Sequence, residues 1–224
     1  MRRAKSEART LLLLALLLCG ARAADAQTPP AAPPPPAEPV SGVIVVDAST
    51  SAQSLSGADG KRFLDAFARF AQAGGGRDEF SVVKVSTHAS LFLDRTEEAG
   101  EISKKLSKLF KEREPAATSL FDGCALALKN VLAGKHQRRF LLVLSDGVDT
   151  ISELTLKDVE NLLKGSGVKL FAVEVGEKSP VAGFGGGFRN LEALAKASGG
   201  AAYRLKKKGE FDSILTSVGA AVRR

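Results

Sequence analysis

Tryptophan is absent from the 224 residues, Tyr203 is the lone tyrosine, and there are only two cysteines and two histidines. Platforms for stacking nucleic-acid bases are therefore poorly supplied. Two cysteines exclude a disulfide scaffold and a multi-cysteine zinc module. Proline is scarce outside one stretch, since seven of the nine prolines lie between positions 29 and 39. No uncharged apolar run reaches the roughly 20 residues that a spanning helix needs, which excludes a multi-span membrane protein. What remains is ordinary for a soluble globular chain, with 44% apolar and 25% charged residues. A fully disordered chain is excluded by the same values. The formal net charge of +7 raises the question of an acidic partner.

Much of that charge sits at the start. Arg2, Arg3, Lys5 and Arg9 precede the leucine run Leu11–Leu18, and two small-x-small patterns follow at Ala21–Ala23 and Ala24–Ala26. Residues 1–26 read as a secretory signal peptide. Cleavage after Ala23 would leave a net charge of +3, and after Ala26 +4. The case for a nucleic-acid partner then weakens, because the lysine clusters at 104–111 and 206–208 suit solvated faces. The expected location is secreted or periplasmic, with no transmembrane span in the mature chain. Cys19 would allow lipid attachment, although bulky Leu18 stands where such processing wants a small residue. Cleavage would also remove Cys19 and leave Cys124 alone. Residues 27–39 read as a proline-rich, extended spacer. The folded domain is expected over 40–224.

That domain alternates apolar β-branched runs with helical periodicity. Ser41–Asp47, Arg139–Asp146 and Val168–Val175 suit strands buried on both faces. Phe80–Ser86 and Ala89–Leu93 are close enough to form an antiparallel hairpin. Helices are expected over 60–73, around Ile102, Leu106, Leu109 and Phe110, and on the stripe Phe121, Cys124, Leu128 and Leu132. Thr155–Asp158 is a capping box opening a helix through Leu163. Leu191 and Leu194 mark a short helix, Ala201–Leu205 a last strand, and Phe211–Val222 a final helix. The pattern predicts an α/β fold, a doubly wound and mostly parallel sheet with helices on both faces.

Ligands in such sheets bind beyond the carboxyl ends of the strands, where strand order reverses. Two predicted strands end there in a carboxylate. The first runs into Asp47-Ala-Ser49-Thr-Ser51 and the second into Ser145-Asp146-Gly147. Carboxylate and hydroxyl oxygens are hard ligands suited to Mg²⁺ or Mn²⁺. No His/Cys cluster supports tetrahedral zinc. Cys124 and the two histidines are not placed to make a nucleophile and base. Gly183–Phe188 is glycine-rich but lacks the strand-to-helix setting of a phosphate cradle, and reads as a mobile loop near the site.

Asp47-x-Ser49-x-Ser51, then Thr118, then Asp146 in LLVLSDGVDT resemble the von Willebrand factor type A domain family and its metal-ion-dependent adhesion site. The resemblance covers residues 40–224 and includes RNLEALAKASGGAAYRL. It implies a six-stranded sheet with one antiparallel edge strand at Ala89–Leu93. It also implies that Ser49, Ser51 and Thr118 coordinate Mg²⁺ (or Mn²⁺) directly, while Asp47 and Asp146 supply charge partly through water. One position would remain open for the Asp or Glu carboxylate of a protein partner. Two departures stand out: Thr50 replaces the family's usual glycine, and Glu174 sits where the family commonly has a small residue. The expected function is extracytoplasmic protein binding without catalysis. The alternatives are a metal-assisted hydrolase, with Glu174 as the one candidate water activator, and a metal-free structural domain. In the last case Asp47 and Asp146 would cap helices and the serines would serve a turn.

Overall fold

Every residue of β1 (Val40–Asp47) is buried, as a run of valine and isoleucine at the centre of a sheet must be. The computed structural model describes residues 38–50, 55–112, 117–176, 187–205 and 210–223. The leader, most of the proline-rich segment, Ser51 and Gly183–Gly186 lie outside the described residues. Parallel to β1 run β2 (Glu79–Val85) on one side and β4 (Arg138–Ser145) on the other. The sheet is completed by β3 (Ala89–Thr96), β5 (Lys169–Glu174) and β6 (Ala201–Arg204), in the order β3-β2-β1-β4-β5-β6. Only β3 is antiparallel, paired with β2. The chain moves outward from β1 to β3 and then returns to β4. Strand order therefore reverses between β1 and β4, and a crevice opens at their carboxyl ends.

Helices cover both faces. α1 (Ala58–Gln72), α2 (Ala99–Leu109) and α6 (Phe211–Val222) pack with Val40, Ile44, Val46, Phe140 and Leu142. α3 (Leu120–Leu132), α4 (Leu156–Leu163) and α5 (Gly187–Ser198) pack with Val43, Val45, Leu141, Val143 and Ala172. The period of two along each strand thus sorts its side chains between two cores. The first core is phenylalanine-rich: Phe67 stands edge-on to Phe80 at 5.1 Å, and Phe70 to Phe140 at 5.6 Å. Gly42 makes room for them, since a Cβ there would come within 2.6 Å of the Phe140 ring.

One long-range polar contact enters this packing. Asp78, just before β2, is 2% exposed and pairs with Arg223 at the end of α6. Asp78 Oδ1 accepts hydrogen bonds from Arg223 Nη1 (2.9 Å) and from the Val40 backbone N–H (3.1 Å). The Arg223 guanidinium also lies 4.9 Å from the Phe70 ring centre. The chain's last helix is thereby tied to the start of its central strand.

Three expectations need correction. Leu132 is 42% exposed; the buried apolar residues of α3 are Leu120, Phe121, Cys124, Ala127, Leu128 and Val131. A position at the helix end turns away from the sheet although its residue type suits the stripe. The edge strand β3 continues to Thr96, because an edge needs no apolar run and tolerates Asp94 and Arg95 on exposed positions. Gly187 and Phe188 are not loop but open α5. The capping box at Thr155 is present: its hydroxyl accepts from the Asp158 N–H, and the Asp158 carboxylate accepts from the Thr155 N–H (2.9 Å). Among the described residues no helix is long and apolar enough to cross a membrane.

Candidate functional site

Three chain segments meet at the crevice between β1 and β4. The first leaves β1 at Asp47. Asp47 is 4% exposed, and Ala48 N–H donates to the Val85 carbonyl (2.9 Å), which carries the strand pairing one residue further. The second precedes α3 and holds Thr118 and Ser119, 4% and 2% exposed. Ser119 N–H donates to the Ser86 carbonyl (2.9 Å), which fixes this segment to the end of β2. The third leaves β4 at Ser145 and Asp146, 0% and 8% exposed. It is tied to the second by Thr150, whose hydroxyl accepts from Thr118 N–H (2.8 Å) while its own N–H donates to the Thr118 carbonyl (2.9 Å). Asp149 accepts from Phe121 N–H (3.1 Å) and so caps α3. Asp149 and Thr150 therefore serve to hold loop and helix start together.

Asp47, Ser49, Thr118 and Asp146 are thus all buried at one sheet edge, while Ser51 lies outside the described residues. Asp47 Oδ1 accepts from Ser49 N–H (2.9 Å), and Asp146 Oδ1 accepts from Val148 N–H (2.9 Å). Each carboxylate closes a turn two residues on, and neither caps a helix. Asp47 Oδ2 accepts from the Ser145 hydroxyl (2.7 Å), which in turn accepts from Gly147 N–H (3.0 Å). Ser145 was visible only as the neighbour of Asp146; its role depends on the register of two strands that are far apart in sequence.

Burial is the main reason the Asp47 carboxyl is pushed up from 3.8 to about 6. Hydrogen bonds from Ser49 and Ser145 oppose that shift, and the nearby Asp146 charge adds to it. A buried carboxylate at Asp47 with the Asp146 carboxylate nearby forms a setting that a divalent cation relieves. Asp146 Oδ2 and the Thr118 hydroxyl have no hydrogen-bond partner among the described residues, although both residues are more than nine-tenths buried. Neither is among the fully buried atoms left without a partner, so both oxygens are open at the surface of the site, where a ligand can reach them. No group of three His, Cys, Asp or Glu side chains occurs among the described residues, because this donor set is two carboxylates and several hydroxyls. Those are hard oxygen donors, and they fit Mg²⁺ or Mn²⁺.

α5 packs directly beside the site. Gly147 has φ +80°, and a Cβ on it would meet the Gly187 carbonyl at 2.2 Å. Glycine is therefore required both by the backbone angle and by the close approach. Asn190 Nδ2 donates to the Gly147 carbonyl (2.9 Å). Glu174, last in β5, pairs with Arg204 at 3.0 Å, and Arg204 lies 4.1 Å from the Phe188 ring centre. Nothing local in the sequence marks Arg204 or Phe188, since three separate elements bring them together. Cys124 is fully buried in α3 and its thiol is pushed up to about 12, which leaves it inert as a nucleophile.

The von Willebrand factor type A domain model matches residues 43–216. No curated protein shows significant sequence similarity to the chain. Among solved structures, an aerotolerance-related membrane protein from Bacteroides fragilis is 14% identical with a TM-score of 0.59, covering 81% of this chain and 99% of that one. The vWF domain of the type V pili tip protein Mfa5 from Porphyromonas gingivalis is 11% identical with a TM-score of 0.57, covering 84% and 97%. The pilus adhesin SpaC from Lactobacillus rhamnosus GG is 13% identical with a TM-score of 0.64, covering 83% of this chain and 30% of that one. At such identities the likeness is one of fold. Together with the family match across the sheet and its helices, it places this chain in the von Willebrand factor type A domain family.

Proposed function

We propose that this chain is an extracytoplasmic protein-binding module that holds Mg²⁺ (or Mn²⁺) at the carboxyl edge of β1 and β4. A partner's Asp or Glu carboxylate would complete the ion's coordination. The observation that carries this reading is the pair of unpartnered oxygens, Asp146 Oδ2 and the Thr118 hydroxyl, on buried residues beside Asp47. Ser49, Ser51 and Thr118 would coordinate the ion directly, and Asp47 and Asp146 would supply charge partly through water, with Asp47 also orienting Ser49 and Ser145. With few anionic ligands the ion stays electrophilic and favours an external carboxylate. Pilus adhesins among the fold relatives support a binding role. The basic, leucine-rich start supports a place outside the cytoplasm. Catalysis is not part of the reading, because Glu174, the candidate water activator, is engaged by Arg204.

The test is thermal unfolding with MgCl₂ and with EDTA. A ligand that binds only the folded state at about ten times its Kd adds about 1.4 kcal/mol, or a few degrees in Tm for a domain of this size. The wild-type chain should show that rise and Asp146→Asn should not. Equal Tm values with MgCl₂ and EDTA in the wild type would contradict the proposal.

A further inference from the structure

Four side chains form a row across the carboxyl edge of the sheet. Ser145 stands opposite Glu174, and Glu174 opposite Arg204, in strand register. Ser145 reaches Asp47 on the other side through its hydroxyl. The row lies on the face covered by α3, α4 and α5, because the residues two before each member, Val45, Val143, Ala172 and Ala202, pack into that core. It is continuous with the candidate metal site through α5. The start of that helix abuts Gly147, and its second residue, Phe188, carries the Arg204 guanidinium on its ring.

Arg204 is built to stay in place. The stacked ring and the Glu174 carboxylate fix its orientation, and the carboxylate approaches most closely at Nε. Its side chain is nevertheless 56% exposed, and no described residue accepts a hydrogen bond from its two terminal nitrogens. A planar fork of donors, oriented and open to solvent, suits an incoming carboxylate. We infer that Arg204 is the second contact of the docking surface and that the partner is an acidic segment with two carboxylates. This rests on the proposed metal reading for the first of them. Asp47 and Arg204 are three strand spacings apart, about 14 Å at about 4.8 Å each. An extended peptide rises about 3.3 Å per residue and returns to the same face every second residue. Acidic residues at i and i+4 span about 13 Å and point the same way. Glu174 competes for the same guanidinium, so it sets how strongly Arg204 attracts that second carboxylate.

The experiment is an NMR titration of the full chain with synthetic peptides that are neutral apart from one aspartate, or two aspartates spaced i,i+2 through i,i+6. It is run with Mg²⁺ and with EDTA, on wild type, Arg204→Gln and Glu174→Gln. In Mg²⁺ the wild type should bind the i,i+4 peptide about fivefold more tightly than the one-aspartate peptide, the scale of one surface charge contact. Arg204→Gln should abolish that preference, and Glu174→Gln should enlarge it. Both variants should leave the one-aspartate affinity unchanged. Magnesium-dependent binding with no preference for a second aspartate, or a preference that Arg204→Gln leaves intact, overturns this inference and leaves the metal reading standing. One-aspartate binding that is equal in Mg²⁺ and EDTA overturns the metal reading, whereas the Arg204 contact is still read from the two-aspartate preference. A two-aspartate peptide that binds no variant overturns both.

Discussion

Asp78→Ala should destabilise the folded chain by about 3–5 kcal/mol, the usual cost of removing one partner from a buried ion pair. Arg223 would be left with its guanidinium largely buried, its Nε having no partner even in the wild type. Val40 N–H, at the first residue of the central strand, would lose its acceptor as well. At 2–4 °C per kcal/mol for a domain of this size, Tm should fall by about 10 °C. The double variant Asp78→Leu/Arg223→Met should recover much of the loss, because it leaves no buried charge alone. Denaturant unfolding of the three proteins measures this directly. A single-variant loss under about 1 kcal/mol would show that water enters this end of α6 and screens the pair.

The second large effect runs the opposite way. With metal removed, Asp47→Asn should stabilise the chain near pH 7.5 and have no such effect near pH 4. The Asp47 carboxyl rises from 3.8 to about 6 on folding, mainly because its burial penalises the charged form. A group raised in this way contributes stability that is fully present below its unfolded value. That contribution is lost as pH rises through about 6. Above that pH the buried carboxylate costs up to about 3 kcal/mol, the free-energy equivalent of a shift of about two units. Asparagine retains an oxygen for the Ser49 N–H and carries no charge. Urea unfolding in EDTA at the two pH values gives the comparison. Equal destabilisation at both would mean that the carboxylate is a structural acceptor without electrostatic cost. The same shift predicts that Mg²⁺ affinity weakens as pH falls below about 6, since protons then compete for Asp47.

The strands that build the crevice were legible because they are central. Burial on both faces demands unbroken apolar runs, and β1, β4 and β5 stand within a residue or two of where those runs lie. The edge strand was legible as a partner of β2 but not in length, because exposure frees it to carry Asp94 and Arg95. Leu132 shows the converse error: its residue type suits the α3 stripe, but its place at the helix end does not. At the site, Asp47, Ser49 and Asp146 could be picked out because they end or follow central strands at one edge, whereas Thr118 was legible only through the resemblance to the von Willebrand factor type A family. Ser145, Arg204 and Asp78 could not. Each acts through a residue about 30 to 145 positions away, and the order of the strands, with the docking of α6 for Asp78, decides that they meet.

Isothermal calorimetry of Mg²⁺ binding to the metal-free chain tests the central claim most directly, with Thr118→Val and Asp47→Asn beside the wild type. Valine replaces one hydroxyl by a methyl of nearly the same volume, so it removes a ligand oxygen and little else. The account predicts one Mg²⁺ per wild-type chain and no saturable heat from Asp47→Asn. It predicts affinity for Thr118→Val at least tenfold weaker, about 1.4 kcal/mol. Equal heats from all three proteins would contradict it.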